Sequence, residues 1–172
     1  MIIGAILIFL LILIDQGTKT LAAASIPLNS PNIVVIPRLL ELSYHQNDGM
    51  SFGLLSGAQI LFMVATVIAL AIFGYFFLES DFKNKKVYSI AIALFIGGTL
   101  GNAIDRALYG YVIDFMQFPF FGPLLNFFGT GNFYNNFADI FLSFAIVLFG
   151  IDLFFLEPKR TKKEKLNAEN NN

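Results

Sequence analysis

Cysteine and tryptophan are absent from the 172 residues, and histidine occurs once, at His45. Without cysteine there is no disulfide framework, no thiolate nucleophile and no cysteine metal site. A single histidine argues against a zinc site and against a Ser-His-Asp triad. Charge is scarce too. Charged residues make up 13% of the chain and leave a net charge of -1, so there is no basic stripe to neutralise phosphates. No nucleic-acid partner, metal or other cofactor is expected.

What the chain has in abundance is apolar surface. It is 56% hydrophobic, with a mean hydropathy of +0.70, far from the mix of a soluble domain. Met1 to Ile14 carries no charge, and Phe52 to Leu78 is continuously uncharged. Val87 to Ile104 forms a third run, and Ile140 to Leu156 a fourth, interrupted only by Asp152. A span needs about 20 residues at a helical rise of roughly 1.5 Å each. The first run therefore has to continue through Asp15 and Lys19 towards Ala24. Ala22 and Ala24 form an A-x-A pattern, but no basic segment precedes the apolar run, so it reads as a span and not as a cleaved leader. In lipid only helices and closed barrels satisfy their own backbone, so the runs predict helices. The expected fold is an all-α membrane protein. It is a bundle of four transmembrane helices over residues 1–157, with extracytoplasmic loops that have room for a small β element. Residues 158–172 are expected to be a charged, disordered cytoplasmic tail.

Lys and Arg fix the orientation. Eight of the eleven lie in the link Glu79 to Lys86 or in the tail, and only Lys19, Arg38 and Arg106 remain for the other side. Both termini are thus expected in the cytoplasm. Helix 1 then leaves the membrane near Asp15 to Lys19, and helix 3 near Asn102 to Arg106, with helix 4 starting at about Asp139. The connections Ser25 to Ser51 and Ala107 to Asn136 lie outside. The polar clusters gather at that outer face, where ionisable residues are costly and are functional candidates by default.

Each cluster also has a purely structural explanation. Asp15 and Lys19, four apart, share a helix face and suit an ion pair that ties helix 1 to the bundle. Asn47-Asp48-Gly49 suits a turn and helix entry. Gly97 and Gly101 form a G-x-x-x-G pattern for close helix packing. Gly98, Asn102 and Asp105 follow i, i+4, i+7, a polar stripe that must face protein or water, and Arg106 beside Asp105 suggests an ion-pair network. Structure is the favoured role for both charges. Asp114 sits among Val112, Ile113 and Phe115, a setting unkind to a free carboxylate unless it is a solvated loop acid. Asp139 is equally readable as the acid three residues after an Asn136 N-cap, favourable to the helix dipole. Asp152, near the cytoplasmic end, is expected to meet interfacial water or a Lys.

In order, the blocks are Asp15-Gln16-x-x-Lys19, Asn47-x-Gly49-x-x-Phe52, Gly97-Gly98-x-x-Gly101-Asn102-x-x-Asp105-Arg106, Gly110-x-Val112-x-Asp114-Phe115 and Asn136-x-Ala138-Asp139. This pattern resembles the bacterial lipoprotein signal peptidases, signal peptidase II. The resemblance implies an intramembrane aspartic peptidase of the bacterial cytoplasmic membrane. Such an enzyme cuts prolipoproteins just before a cysteine that carries diacylglyceryl, so its partners are that substrate and membrane lipids. It also implies Asp114 and Asp139 as the catalytic pair. Asp15, Lys19, Asn47, Gly49, Asn102, Asp105, Arg106 and Asn136 would support or line the site. Asn135 and Ile140 stand where the family usually has Phe and Ser, and Ser51 where Ala is common; these departures bear on substrate fit.

That chemistry matches the residues available, since two carboxylates can share a proton and activate water without Cys, a Ser-His pair or a metal. Asp139, at a helix start, is the expected base, and Asp114 the expected holder of the proton. Asn102 and Asn136 would orient the carboxylates or stabilise an oxyanion. Phe118, Phe120, Phe121, Phe127, Phe128 and Phe133 suit a segment covering the site or resting in lipid, with Gly122, Gly129 and Gly131 allowing it to move. Rival readings are a small transporter or channel subunit with an acidic path, or an assembly factor without chemistry. A path should leave polar residues through the whole depth of the membrane, whereas helix 2 is nearly apolar.

Overall fold

The structure is a computed structural model that describes residues 1–49, 59–122 and 133–170. Among these residues, four helices are long and apolar enough to cross a membrane. They are α1 (Ile2–Ser25), α2 (Gln59–Phe77), α3 (Lys86–Tyr109) and a fourth that begins with α4 (Phe137–Ile151). Their outward faces carry large apolar side chains such as Phe9, Leu13, Val67, Ile68, Phe144 and Val147, all exposed as lipid-facing positions should be. The part of Met50 to Leu78 before Gln59 lies outside the described residues.

The helix α3 is the centre of the bundle. Half of its span is buried, against none of α2, and it packs on α1, α2 and α4. Its glycines permit this. A Cβ on Gly97 would lie 2.9 Å from Leu11 on α1, and one on Gly98 would lie 2.7 Å from the carbonyl oxygen of Ala138 on α4. Small residues let backbones approach where lipid supplies no hydrophobic drive between helices.

Outside the bundle lies a small antiparallel sheet in the order β1 (Ile33–Ile36), β2 (Leu40–Asn47), β3 (Val112–Gln117), β4 (Tyr134–Asn135). β3 is buried along its whole length, which puts Asp114 inside the fold and not in a solvated loop. Gly110 makes that possible. It ends α3 in the left-handed conformation at φ 81°, with its N–H donating to the carbonyl of Arg106, and turns the chain directly into β3. Opposed residues of β2 and β3 include His45 with Asp114 and Asn47 with Val112.

α1 runs on to Ser25, in line with the expected continuation towards Ala24, and Asp15 and Lys19 are buried inside the bundle, 0% and 1% exposed. Two expectations need correction. After a stretch of wider π-type turns at Asp152–Leu156, the chain continues as helix α5 (Glu157–Asn170) where a disordered tail was expected. Glu, Lys and Ala favour helix, and charge pairs hold its start. Finally, Asp152 meets neither a Lys nor open water. It is 2% exposed and accepts from both terminal nitrogens of Arg160, at 2.9 and 2.5 Å, with Glu157 also paired to that guanidinium.

Candidate active site

Asn136 organises the site. It precedes α4 as its N-cap, accepting the backbone N–H of Asp139 on its Oδ1 at 3.1 Å, while the Asp139 carboxylate accepts the backbone N–H of Asn136 at 3.1 Å. This reciprocal capping box is the local reason the helix starts there. The same side chain does more. Its Nδ2 donates to Oδ1 of Asp114 at 2.7 Å and to Oδ1 of Asn102 at 3.1 Å. The capping role and the site role of this segment therefore coexist.

Asn102, on α3, completes the chain. Its Nδ2 donates to Oδ1 of Asp139 at 2.8 Å, and its Oδ1 accepts from Nζ of Lys19 at 2.9 Å. An ammonium only donates, so the Asn102 oxygen must face Lys19 and its amide nitrogen must face Asp139. Lys19 thus fixes the orientation of an amide that holds one acid, and through Asn136 the other.

Lys19 is held in turn. Its ammonium lies 2.8 Å from the Asp15 carboxylate and 3.0 Å from that of Asp105. With Asn102 these three acceptors use its three donors. Asp15 also accepts the backbone N–H of Ala138 at 2.8 Å, joining α1 to α4. Asp105 accepts the backbone N–H of Ile113 at 3.0 Å, joining α3 to the start of β3. Gln16, quoted in the first sequence block without a role, donates to Asp105 at 2.8 Å and to the carbonyl of Gly101 at 3.0 Å. The structural reading of Asp15 and Lys19 is borne out in its geometry, and so is the buried stripe of Gly98, Asn102 and Asp105.

The pairing of Asp105 with Arg106 is not found. Neighbours on a helix point about 100° apart, and while Asp105 turns to Lys19, Arg106 turns the other way. Its guanidinium lies 4.9 Å above the Phe62 ring and forms no ion pair among the described residues. Arg106 lines a cavity of about 490 Å³ together with Asp114 and Asp139. Asn47 and Gly49 line it as well, Asn47 donating to Oδ2 of Asp114 at 2.8 Å while its own oxygen takes the Gly49 N–H at 3.1 Å.

The rest of the lining was not legible beforehand. Phe62, Thr66, Thr99 and Tyr134 border the cavity, and in an apolar span such residues look like any lipid-facing or packing position. Phe133 lines it too, whereas Phe127, Phe128, Gly129, Gly131 and Ser51 lie outside the described residues. Asn135 borders the cavity, and Ile140 packs against the buried cluster of Ala22, Phe115 and Met116.

Electrostatically, Asp114 is a poor place for a full charge. Burial pushes its carboxyl up to about 7, and the nearby Asp139 charge adds to the shift, against the lowering effect of the Asn47 and Asn136 donors. Both Asp114 oxygens already have one amide donor, and so do both oxygens of Asp139. The two acids are thereby positioned at one cavity wall by groups from β2, α3 and the α4 cap.

The family model for signal peptidase (SPase) II matches residues 7–155. The chain is 36% identical over 154 residues to lipoprotein signal peptidases of Staphylococcus aureus, strains MRSA252 and JH9, covering 90% of this chain and 88% of each relative. A solved structure described as a bacterial membrane enzyme, by the in meso method at 1.9 Å resolution, superposes with a TM-score of 0.73 at 32% identity, over 89% of this chain and 93% of its own. A second of the same description, at 2.3 Å, gives 0.73 at 33% identity, over 94% and 92%. With similarity running through nearly the whole chain, and residues of all five sequence blocks meeting in and around one buried polar chain, this protein belongs to the signal peptidase II family.

Proposed function

We propose that Asp114 and Asp139 are the catalytic dyad of a lipoprotein signal peptidase that cuts prolipoproteins just before a diacylglyceryl cysteine. The observation that carries this reading is the Asn102–Asn136 bridge. It brings acids from β3 and α4 to the same cavity and gives each carboxylate oxygen one fixed donor. Like charges so placed favour a single shared proton.

The proton starts on Asp114, whose burial favours the neutral form, and Asp139 is ionised at the helix start. Water attacks the scissile carbonyl carbon as Asp139 takes its proton and Asp114 donates its own to the carbonyl oxygen. The tetrahedral intermediate then collapses. Asp139 returns a proton to the leaving nitrogen, the C–N bond breaks, and Asp114 recovers a proton from the intermediate's hydroxyl. Both Nδ2 hydrogens of Asn136 are committed to Asn102 and Asp114, so it orients the dyad and does not serve as an oxyanion donor. Arg106, which faces the cavity and forms no ion pair among the described residues, supplies donors for substrate carbonyls in this reading.

The sheet and cavity lie at the end of α1 that carries Ser25, where Ala22 packs on Phe115 and Met116. The link Glu79 to Lys86 lies at the other end, where Phe82 approaches Gly4. With both termini in the cytoplasm of a bacterial cell, the cavity faces the outer leaflet. A lipidated cysteine, anchored there by its acyl chains, presents its peptide bond at that level. Residues 1–157 form the peptidase domain and residues 158–172 a charged cytoplasmic tail. Purified protein in detergent should convert a diacylglyceryl prolipoprotein to its shortened form, and should leave the unlipidated precursor uncut. Equal cutting of both would sink the lipid requirement, and no cutting would sink the activity.

A further inference from the structure

The single histidine of the chain takes no part in the hydrogen-bonded chain above, yet it stands next to it. His45 lies on β2 directly opposite Asp114 on β3, and opposed residues of an antiparallel pair share a face. Asn47, two residues along the same strand and so on that face as well, holds Asp114. The His45 ring stacks on Tyr134 with centroids 3.7 Å apart and planes inclined by 28°. Tyr134 borders the cavity, two residues before Asn136. Its strand, β4, is only two residues long and, among the described residues, pairs only with the end of β3. Backbone hydrogen bonds alone therefore hold this wall weakly, and the stacked ring is a second fastening.

The chemistry of the ring narrows its role. Nε2 of His45 is buried and has no hydrogen-bond partner among the described residues. An imidazole kept for its polarity would have that nitrogen satisfied. What the fold uses is the flat face. Burial also lowers the basicity of His45, which keeps the ring neutral and suited to stacking on a phenol.

Taking the cavity as the peptidase site, a reading on which this rests, we propose that His45 is a positioning residue that fixes Tyr134 as a wall of the substrate cavity through ring stacking. It governs how well substrate is held and leaves the dyad's proton transfers alone. The link runs from β2, which carries Asn47, to the segment that carries Asn136, so one stack sets the width of the cavity beside both acids.

The test uses the purified full chain with a diacylglyceryl prolipoprotein, measuring KM and kcat separately along with melting temperature. His45→Ala should raise KM by about three- to tenfold, the scale of one aromatic contact, with kcat nearly unchanged. His45→Phe keeps the face and discards the nitrogen, and should restore KM to within about twofold, because stacking needs only the ring. Tyr134→Leu should raise KM similarly, and the double variant His45→Ala/Tyr134→Leu should be no worse than either single change. The idea is overturned if His45→Phe is as impaired as His45→Ala, if kcat falls while KM holds, or if the two single effects simply add. If His45→Ala folds poorly, the Tyr134→Leu and His45→Phe measurements still decide. Failure of the peptidase reading looks different, since the wild type itself would not cut.

Discussion

The ammonium of Lys19 on α1 lies 3.0 Å from the carboxylate of Asp105 on α3, and both side chains are only 1% exposed. The partner that the sequence offers Asp105, its neighbour Arg106, points instead into the cavity. One cation thus balances both Asp15 and Asp105 in the bundle, and the other lines the cavity.

Two substitutions separate these roles. Lys19→Met leaves two buried carboxylates without a counter-charge, and removing one partner of a buried pair costs about 3–5 kcal/mol. Melting temperature in detergent should fall sharply, and activity with it. Arg106→Ala should melt close to wild type yet lose most of its turnover. Measuring both properties on the same preparations decides the matter; an Arg106→Ala protein as unstable as Lys19→Met would return Arg106 to a structural role.

Asp114→Asn and Asp139→Asn should each cut processing of a lipidated prolipoprotein by more than about 100-fold while leaving membrane insertion intact, the scale of a lost general acid or base. The isosteric amides keep the shape of the site. Near-normal turnover in either variant, read by gel shift, would remove that residue from the dyad.

Orientation can be tested in a chain that has no cysteine of its own. Single cysteines at Ser30, Asn84 and Asn167 should behave differently towards an impermeant thiol reagent applied to intact cells. Only the one at Ser30, beside the sheet, should react. Labelling at Asn84 would invert the topology and move the cavity to the cytoplasmic face.

Much of this site was legible because lipid makes polar residues conspicuous. Asp15, Lys19, Asn102, Asp105, Asp114, Asn136 and Asp139 stand out in apolar surroundings, and each has a hydrogen-bonded or ionic partner in the fold. What the sequence hid was direction. Residues adjacent in sequence, such as Asp105 and Arg106, diverge on a helix, and only the packing of α1 against α3 decides which of them meets Lys19. The role of Gln16 and the stacking of His45 on Tyr134 were hidden for the same reason, since each depends on a contact between elements distant in sequence. The helical course of residues 157–170 was obscured by a composition that suits solvent and helix alike.

The close approach of α3 to α1 and α4 rests on Gly101. A Cβ there would lie 2.5 Å from Oδ2 of Asp15 and 3.1 Å from the Cβ of Ala138. Gly101→Ala should therefore push α1 away and loosen the Asp15–Lys19 pair, lowering melting temperature by the cost of an overpacked core, about 1–3 kcal/mol. Gly17→Ala on α1, where an added Cβ meets nothing within 4 Å among the described residues, is the matched control and should melt like wild type.

The pH dependence follows from Asp114, whose carboxyl is raised from an ordinary 3.8 to about 7 in the folded chain. A raised folded value means that the fold binds a proton the unfolded chain has released. Its contribution to stability is then complete below about pH 3.8 and is lost as pH rises through about 7. For activity, the proposed dyad needs that proton, so kcat/KM should fall as pH climbs past about 7. Asp114→Asn cannot ionise, so it should melt higher than wild type at pH 8, and this advantage should shrink at pH 5. Melting curves at both values, beside a kcat/KM profile from pH 5 to 9, test the two halves together. A profile flat to pH 9, with Asp114→Asn no more stable than wild type at pH 8, would mean that Asp114 is already ionised in the fold and that the proton is held elsewhere.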